Sequence, residues 1–348
     1  MSVAVRPAPR TEAELDERLS EPREATIEAL RRVPGDIVIL GAGGKMGPTL
    51  ARMAARAAEA ADGAKRRRVI AVSRFTSNGV SRELERHGVE TVHADLLDPD
   101  AVAQLPDAPN VVFMAGQKFG TTDAPSRTWM MNVVVPAHCA RRYASARIVA
   151  FSTGNVYPLR GILGGGASEG TKPQPVGEYA GSCLGRERVF EFYSSTHETR
   201  VAIVRLNYAI DLRYGVLADL AVRIEHGRLI PLAMGYVNVI WQGDANRYAL
   251  EMLPLAASPP LVLNVTGAET LSVRTLATDL GNRLGKKPHF DGTEAPDALL
   301  SDTSRLRATL GAPAMPLDTM LDWAAEWIRE GRPLWVKPTH FETRDGSF

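Results

Sequence analysis

Three glycines set the first chemical expectation. Gly41, Gly44 and Gly47 fall at every third position of Gly41-Ala42-Gly43-Gly44-Lys45-Met46-Gly47. Four branched apolar residues, Ile37 to Leu40, precede them, and Met46, Leu50, Met53, Ala54 and Ala57 follow at helical spacing. A strand, a glycine turn and a helix in that order make a seat for the pyrophosphate of a dinucleotide. Gly41 allows the tight turn, Gly44 lets the phosphates approach the backbone, and Gly47 lets the helix pack on the strand. The N–H groups of the first helical turn, which have no helical partner, face the anion. Lys45 and Met46 lie inside the turn and belong to the same seat. The spacing is G-x-x-G-x-x-G rather than G-x-G-x-x-G, so the triplet alone also fits a plain glycine-rich turn.

Other chemistries find little support. Cys139 and Cys183 are the two cysteines, too few for a disulfide framework or a metal cluster, and they suit a reducing compartment. The seven histidines are scattered, with no His-x-x-x-His pair, so no metal site is expected. A formal net charge of +1 leaves no footprint of nucleic acid or an acidic membrane. The basic run Lys65 to Arg68 reads as a solvated loop. With no signal peptide and no membrane-length apolar run visible, the expectation is a cytoplasmic protein acting on a small molecule.

The elements that must hold the turn follow from the hydropathy pattern. The 348 residues, 45% hydrophobic and 23% charged, suit one large domain or two joined ones. After the glycine-turn helix, short apolar runs predict strands at 69–74, 90–94, 110–114, 147–151, 201–205 and 261–265, with helical segments between most of them. That alternation predicts an α/β fold, a doubly wound parallel sheet of Rossmann type, with ligands beyond the carboxyl ends of the strands. Residues 1–10 read as loose. A capping box at Thr11 and Glu14 opens a short helix, and Ser20 and Pro22 restart a second with Ile27, Leu30 and Val33 on one face. The division expected is a helical extension over 1–34, a dinucleotide-binding domain over 35–205 and a smaller, discontinuous substrate-binding region over 206–348, with a strand near 261–265 returning to the sheet. Residues 158–178, rich in Gly and Pro, read as a loop over the site, and 272–284 and 317–329 as helices.

From about residue 36 to about 327 the chain resembles the extended short-chain dehydrogenase/reductase family, in its NAD(P)-dependent epimerase/dehydratase branch. The motifs that carry the likeness are the glycine turn, Asp95-Leu96, Met114-Ala115-Gly116, Phe151-Ser152-Thr153-Gly154-Asn155-Val156-Tyr157, Tyr179 and Arg205 to Asn207. The resemblance implies that Asp95 and Leu96 contact adenine and that Ala115 and Gly116 lie beside the cofactor. It places Thr153 on the substrate oxygen with Asn155 nearby, makes Tyr179 the group that exchanges the substrate proton, and sets Arg205 to Asn207 against the substrate. It also implies a homodimer, formed by the helices near 128–144 and 179–194, where Val133 to Val135, Val189, Phe190 and Phe192 exceed the needs of one buried face.

One departure bears on the chemistry. The family has Tyr-x-x-x-Lys, and this chain has Tyr179-Ala180-Gly181-Ser182-Cys183. A lysine there stabilises the phenolate and holds the nicotinamide ribose. An unassisted tyrosine has a pKa near 10, so about one in a thousand is ionised at pH 7, and activity would climb with pH well past neutrality. Losing a positioned acid–base function costs on the order of 10²–10⁴ in rate. Three alternatives stand: Lys118 or Arg186 supplies the charge, Cys183 itself does chemistry from a position facing the ribose, or hydride transfer is lost.

Cofactor choice is read at the end of the second strand, where NAD-selective relatives carry an acid. Here Ser73 and Arg74 stand there, and a guanidinium can grip a 2′-phosphate, with Lys45 as a second cation. NADP(H) is preferred and NAD(H) remains possible. Asn207 is the better candidate for a sugar or phosphate contact, and Trp241 could stack on a sugar or base or pack in the core. After Asn207 the chain reads Tyr208-Ala209-Ile210-Asp211 where the family has Gly-Pro, which counts against a nucleotide-diphosphate substrate and leaves carboxylate or free-sugar substrates. The expectation is an NADP(H)-dependent oxidoreductase or epimerase acting on a carbohydrate-like hydroxyl or ketone. The competing one is a non-catalytic NAD(P)-binding regulatory or sensor protein.

Overall fold

The computed structural model describes residues 7–63, 67–76, 79–118, 120–121, 123–335, 337 and 339–347. Strands β1 (Ile37–Leu40), β2 (Val69–Ser73), β3 (Glu90–His93), β4 (Asn110–Phe113), β5 (Arg147–Thr153), β6 (Arg200–Leu206) and β7 (Leu261–Val265) form one parallel sheet in the order β7-β6-β5-β4-β1-β2-β3. All four residues of β1 are buried, as expected of a central strand with helices on both faces. The chain reverses its direction of winding between β1 and β4, where such sheets open a crevice at their carboxyl ends.

The helices before β5 are α1 (Glu12–Leu19), α2 (Glu24–Arg31), α3 (Gly47–Asp62), α4 (Val80–Arg86), α5 (Pro99–Ala103), α6 (Pro125–Trp129) and α7 (Val135–Arg142). A π turn, Met130–Val134, joins α6 to α7. Pro136 follows it and has no N–H to return to Asn132, so the ladder shifts by one residue there. Then come α8 (Gly177–His197), α9 (Val216–Glu225), α10 (Gln242–Glu251), α11 (Val273–Leu284), α12 (Ser304–Leu310) and α13 (Leu317–Arg329). No helix among the described residues is long and apolar enough to cross a membrane.

Leu15 and Leu19 of α1 enter the core built by α9, α11 and α13, while Leu30 of α2 and Val33 enter the core between β1, α3 and α10. Each such burial is worth roughly 1.5–3 kcal/mol, so the N-terminal helices are anchored in both halves. The Thr11 side chain caps α1 by accepting from Glu14 N at 3.1 Å. The return bond of the capping box is displaced by one residue, Arg10 N donating to the Glu14 carboxylate at 2.8 Å. Residues 1–6 of the expected loose segment lie outside the described residues, and Pro9 is held by Arg332, which donates to its carbonyl.

Two expectations need correction. Lys65 and Arg66 lie outside the described residues, but Arg67 is no solvated charge: its buried guanidinium pairs with Asp62 at 2.6 Å and donates to Val33 O. Arg68 pairs with Asp36 at 2.8 Å but stays exposed, as expected. The stretch 158–178 does not roof the site. It is stitched sideways instead, with Arg160–Gly161 antiparallel to Asp297–Ala298 and Ala167 N donating to Leu300 O at 2.8 Å. Fewer apolar residues remain for a face between two copies than expected, because Val135 and Phe190 are consumed in the protomer's own sheet core.

Candidate active site

At the carboxyl ends of β1, β4, β5 and β6 lies a cavity of about 490 Å³. Gly41, Gly44, Lys45 and Met46 form one wall, and Met114, Gly116, Gln117 and Lys118 the next. Phe151, Ser152, Thr153, Asn155, Tyr179 and Arg186 follow, then Leu206 to Ala209, Tyr214 to Val216, Gln242, Lys337 and Thr339. Of the sequence-derived groups, Gly41, Gly44, Lys45, Met46, Gly116, Lys118, Thr153, Asn155, Tyr179 and Asn207 converge here.

The glycine turn meets the requirements of a dinucleotide. Gly41 has φ +90°, and a Cβ there would lie 2.5 Å from Ala115 N. At Gly47 a Cβ would collide with the Ala42 carbonyl. At Gly44 a Cβ would meet only the Gly41 carbonyl oxygen, at 3.5 Å, and a longer side chain would fill the cradle itself. The sixteen-residue α3 starts immediately after with no side-chain cap, leaving its first N–H groups for an anion. The residues present thus fit a bound pyrophosphate.

Ser73, Arg74, Asp95 and Leu96 group at the ends of β2 and β3, outside this cavity. Gly43 abuts Ser73, where a Cβ would come within 2.6 Å of its hydroxyl. Arg74 is half-exposed and faces Asp95 at 3.9 Å, Asp95 accepts from Leu97 N, and Leu96 is buried. Lys45 does not join Arg74. Its ammonium sits 3.1 Å from the centre of the Tyr214 ring, on the opposite side of the turn. The expected two-cation clamp on a 2′-phosphate is thereby reduced to Arg74, since the Lys45 side chain has turned toward the segment before α9.

Thr153 and Tyr179 meet on the cavity wall. Asn155 donates to Thr153 Oγ1 from its backbone N at 3.2 Å and from Nδ2 at 3.0 Å, which directs the threonine proton onward to the Tyr179 oxygen. Burial pushes the Tyr179 phenol above its ordinary value; Cys183 adds to the rise, while Arg186 and Thr153 oppose it. The phenol is therefore harder to ionise than a free one, contrary to the expectation of a pKa near 10.

Cys183 touches Tyr179, as residues four apart on a helix do, but it does not line the cavity. It packs against Val156, Tyr157, Ala167 and Leu184 at 1% exposure, and burial raises its thiol pKa. The thiol also hydrogen-bonds the Tyr179 side chain and lies in the field of Arg186 and Lys118, so it packs in the hydrophobic cluster and against the tyrosine at once.

Two cations stand near Tyr179 instead. The Lys118 ammonium is 5.8 Å from the Tyr179 ring centre and donates to Thr339 O at 3.3 Å. Burial lowers its pKa to about 8, against the raising influence of Cys183 and Asp219. The buried Arg186 guanidinium donates to Phe151 O at 2.8 Å and Asn132 Oδ1 at 2.7 Å, and lies where a Cβ on Gly116 would be. Its Nε is buried without a hydrogen-bond partner.

Several contributors escaped the sequence reading. Asn132 also binds Gln117 through both backbone groups and donates to Ser182 Oγ at 2.9 Å. A lone Asn in the apolar run Met130 to Val135 was its one visible signal. Tyr214, Gln242, Lys337 and Thr339 carried no local signal. Trp241 takes the second of its two readings, and Arg205 departs from its expected place against the substrate. Trp241 is buried in the core, 5.7 Å edge-on from Trp323, away from the cavity. Arg205 points beneath the site into a pair with Glu187, while Asn207 lines the cavity and donates to Leu299 O.

The chain is similar in fold to many solved structures. The dTDP-glucose 4,6-dehydratase DesIV from Streptomyces venezuelae, with NAD bound, aligns at TM-score 0.71 and 21% identity over 85% of this chain and 97% of that one. The UDP-glucose 4-epimerase from Thermotoga maritima, with UDP-glucose, aligns at 0.68 and 19% over 85% and 99%. MoeE5 in complex with UDP-glucose and NAD aligns at 0.68 and 18% over the same shares. No curated protein matches the sequence. The model of one protein family, described as the NAD dependent epimerase/dehydratase family, matches residues 37–231. With that match spanning more than half of its length, and with the glycine cradle, the parallel sheet and the Thr153–Tyr179 pair in place, the chain belongs to the NAD dependent epimerase/dehydratase family.

Proposed function

We propose that this protein is an NADP(H)-dependent oxidoreductase or epimerase acting on a hydroxyl or ketone of a carbohydrate-like substrate, with Lys118 in the place of the missing lysine. The observation that carries the reading is the Lys118 ammonium 5.8 Å from the Tyr179 ring, on the wall where Tyr179 also meets Thr153. The dinucleotide, when bound, supplies hydride acceptance and donation at its nicotinamide ring. Thr153 holds the substrate oxygen, Tyr179 exchanges its proton, and Lys118 supplies the positive charge that makes this exchange accessible. Asn155 orients Thr153, and Asn207 contacts the substrate skeleton. Arg186 is held by Phe151 and Asn132 and closes the floor of the site.

Turnover against a panel of sugars and keto-sugars tests the reading. Tyr179→Phe is expected to lose activity on any accepted substrate while keeping dinucleotide affinity. Tight NADPH binding with no turnover anywhere on the panel would favour a sensor instead. Arg74 supports the choice of NADP(H), as it stands half-exposed at the end of β2 with a 3.9 Å contact to Asp95. NADPH is expected to bind more tightly than NADH by roughly 1.5–3 kcal/mol, the worth of a charged hydrogen-bonding group. Arg74→Ala should erase most of that difference in calorimetry, and equal parent affinities would refute the preference. Two copies are proposed to pair through α7 and α8, beside which Trp129, Met130 and Phe192 are more than 40% exposed. A monomer mass in light scattering at micromolar concentration would count against this pairing.

A further inference from the structure

The walls of the cavity carry Lys45, Lys118, Arg186 and Lys337, and no Asp or Glu among the described residues lines it. Two carboxylates behind the wall, Asp219 and Asp211, offset part of this charge. Asp219 Oδ2 accepts from both Thr339 N at 2.8 Å and Thr339 Oγ1 at 2.6 Å, and Asp211 pairs with Arg213 at 2.7 Å. The surplus is not explained by the dinucleotide alone. Its pyrophosphate is served by the glycine cradle and the start of α3, whereas Lys45 has turned away toward Tyr214. Three distant segments bring the lysines together: the glycine turn, the end of β4 and the C-terminal tail. The tail is fastened in place by Lys118 donating to Thr339 O and by Tyr208 Oη donating to Phe341 O. Collecting like charges costs free energy, and burial together with the repulsion of Lys118 and Lys337 lowers the Lys45 pKa to about 7. An anionic ligand group would offset that cost.

Two dimensions narrow the ligand. The Lys118 ammonium is close enough to Tyr179 that an anion it holds lies beside the reacting carbon, not at the end of a long arm. The cavity of about 490 Å³ must also admit the nicotinamide end of the dinucleotide, which leaves room for a small molecule. We propose, building on the oxidoreductase reading above, that the substrate is a compact acid, a sugar-like molecule whose carboxylate or phosphate sits beside the reacting carbon and is held by Lys118 and Lys337, with Lys45 behind them.

Calorimetry on the full chain loaded with NADP+ tests this, using glucose, glucuronate, glucose 6-phosphate and UDP-glucose as probes. At least one of the two small acids is expected to bind roughly tenfold more tightly than glucose, about the effect of one charge-assisted hydrogen bond. Which of the two binds separates a carboxylate from a phosphate. Lys337→Gln, at an exposed position that leaves folding intact, should remove that preference while changing NADP+ affinity less than twofold. Equal binding of glucose and both acids, no binding of either acid at millimolar concentration, an undiminished preference in Lys337→Gln, or binding confined to UDP-glucose would each overturn the inference. Dinucleotide binding without acid preference defeats this inference alone. Failure of NADP+ and NAD+ to bind defeats the oxidoreductase reading, and the acid preference is then measured on the unloaded chain.

Discussion

Lys118→Met is expected to lower turnover at pH 8 by a factor on the order of 10²–10⁴, the usual worth of a positioned acid–base function. Burial pushes the Tyr179 phenol up and the Lys118 ammonium down, to about 8. In the proposed exchange the two groups act together, and the first proton lost as pH rises through about 8 is assigned to the pair. Taking a proton from a substrate hydroxyl needs the pair with one proton gone, so oxidation should rise through about pH 8. Giving a proton to a substrate ketone needs the pair fully protonated, so reduction should fall over the same range. In Lys118→Met the phenol titrates alone, above its ordinary value near 10, and the oxidation profile should move beyond pH 10. A pH–rate profile unchanged by the substitution would rule Lys118 out. Cys183→Lys is not expected to restore the motif. It would place an ammonium in a cluster of Val156, Tyr157 and Ala167, beside a site that already holds Lys118 and Arg186.

Arg205→Ala is expected to cost about 3–5 kcal/mol of stability in urea denaturation, since it strands the Glu187 carboxylate in the core. Arg205 and Glu187 are 4% and 1% exposed and meet at 2.6 Å. Glu187 also accepts from Ser152 Oγ at 2.5 Å, and Arg205 donates to Tyr157 Oη at 2.7 Å, which in turn donates to Asn264 Oδ1 at 2.9 Å. This network ties the end of β5, where Thr153 begins its turn, to β6, β7 and α8. Replacing both partners, as in Glu187→Met with Arg205→Leu, should cost less than Arg205→Ala alone, because no charge is left unpaired. A single-variant loss under about 1 kcal/mol would show that the pair is solvated and refute this account.

The sheet was legible because its signals are local. Six of the seven strands are short apolar runs, β3 being the polar exception, each is closed by Gly, Ser, Thr, Asp or Asn, and each lies within one or two residues of its expected span. The glycine turn was legible for the same reason, as were Thr153 and Tyr179, which the chain places at the ends of elements whose direction the parallel sheet dictates. By itself, then, the sequence determined the doubly wound fold, the cradle and the threonine–tyrosine pair. The tertiary structure alone decided which way the remaining side chains face. Lys45 settled over Tyr214, Cys183 packed beside Val156 and Ala167 against Tyr179, Trp241 entered the core against Trp323, and Arg205 turned inward to Glu187. It also brought Lys337 and Thr339 back to Lys118 across more than two hundred residues. Such outcomes depend on contacts between segments far apart in the chain, and the periodicity of a single helix or strand records which face is apolar but not which partner that face will meet.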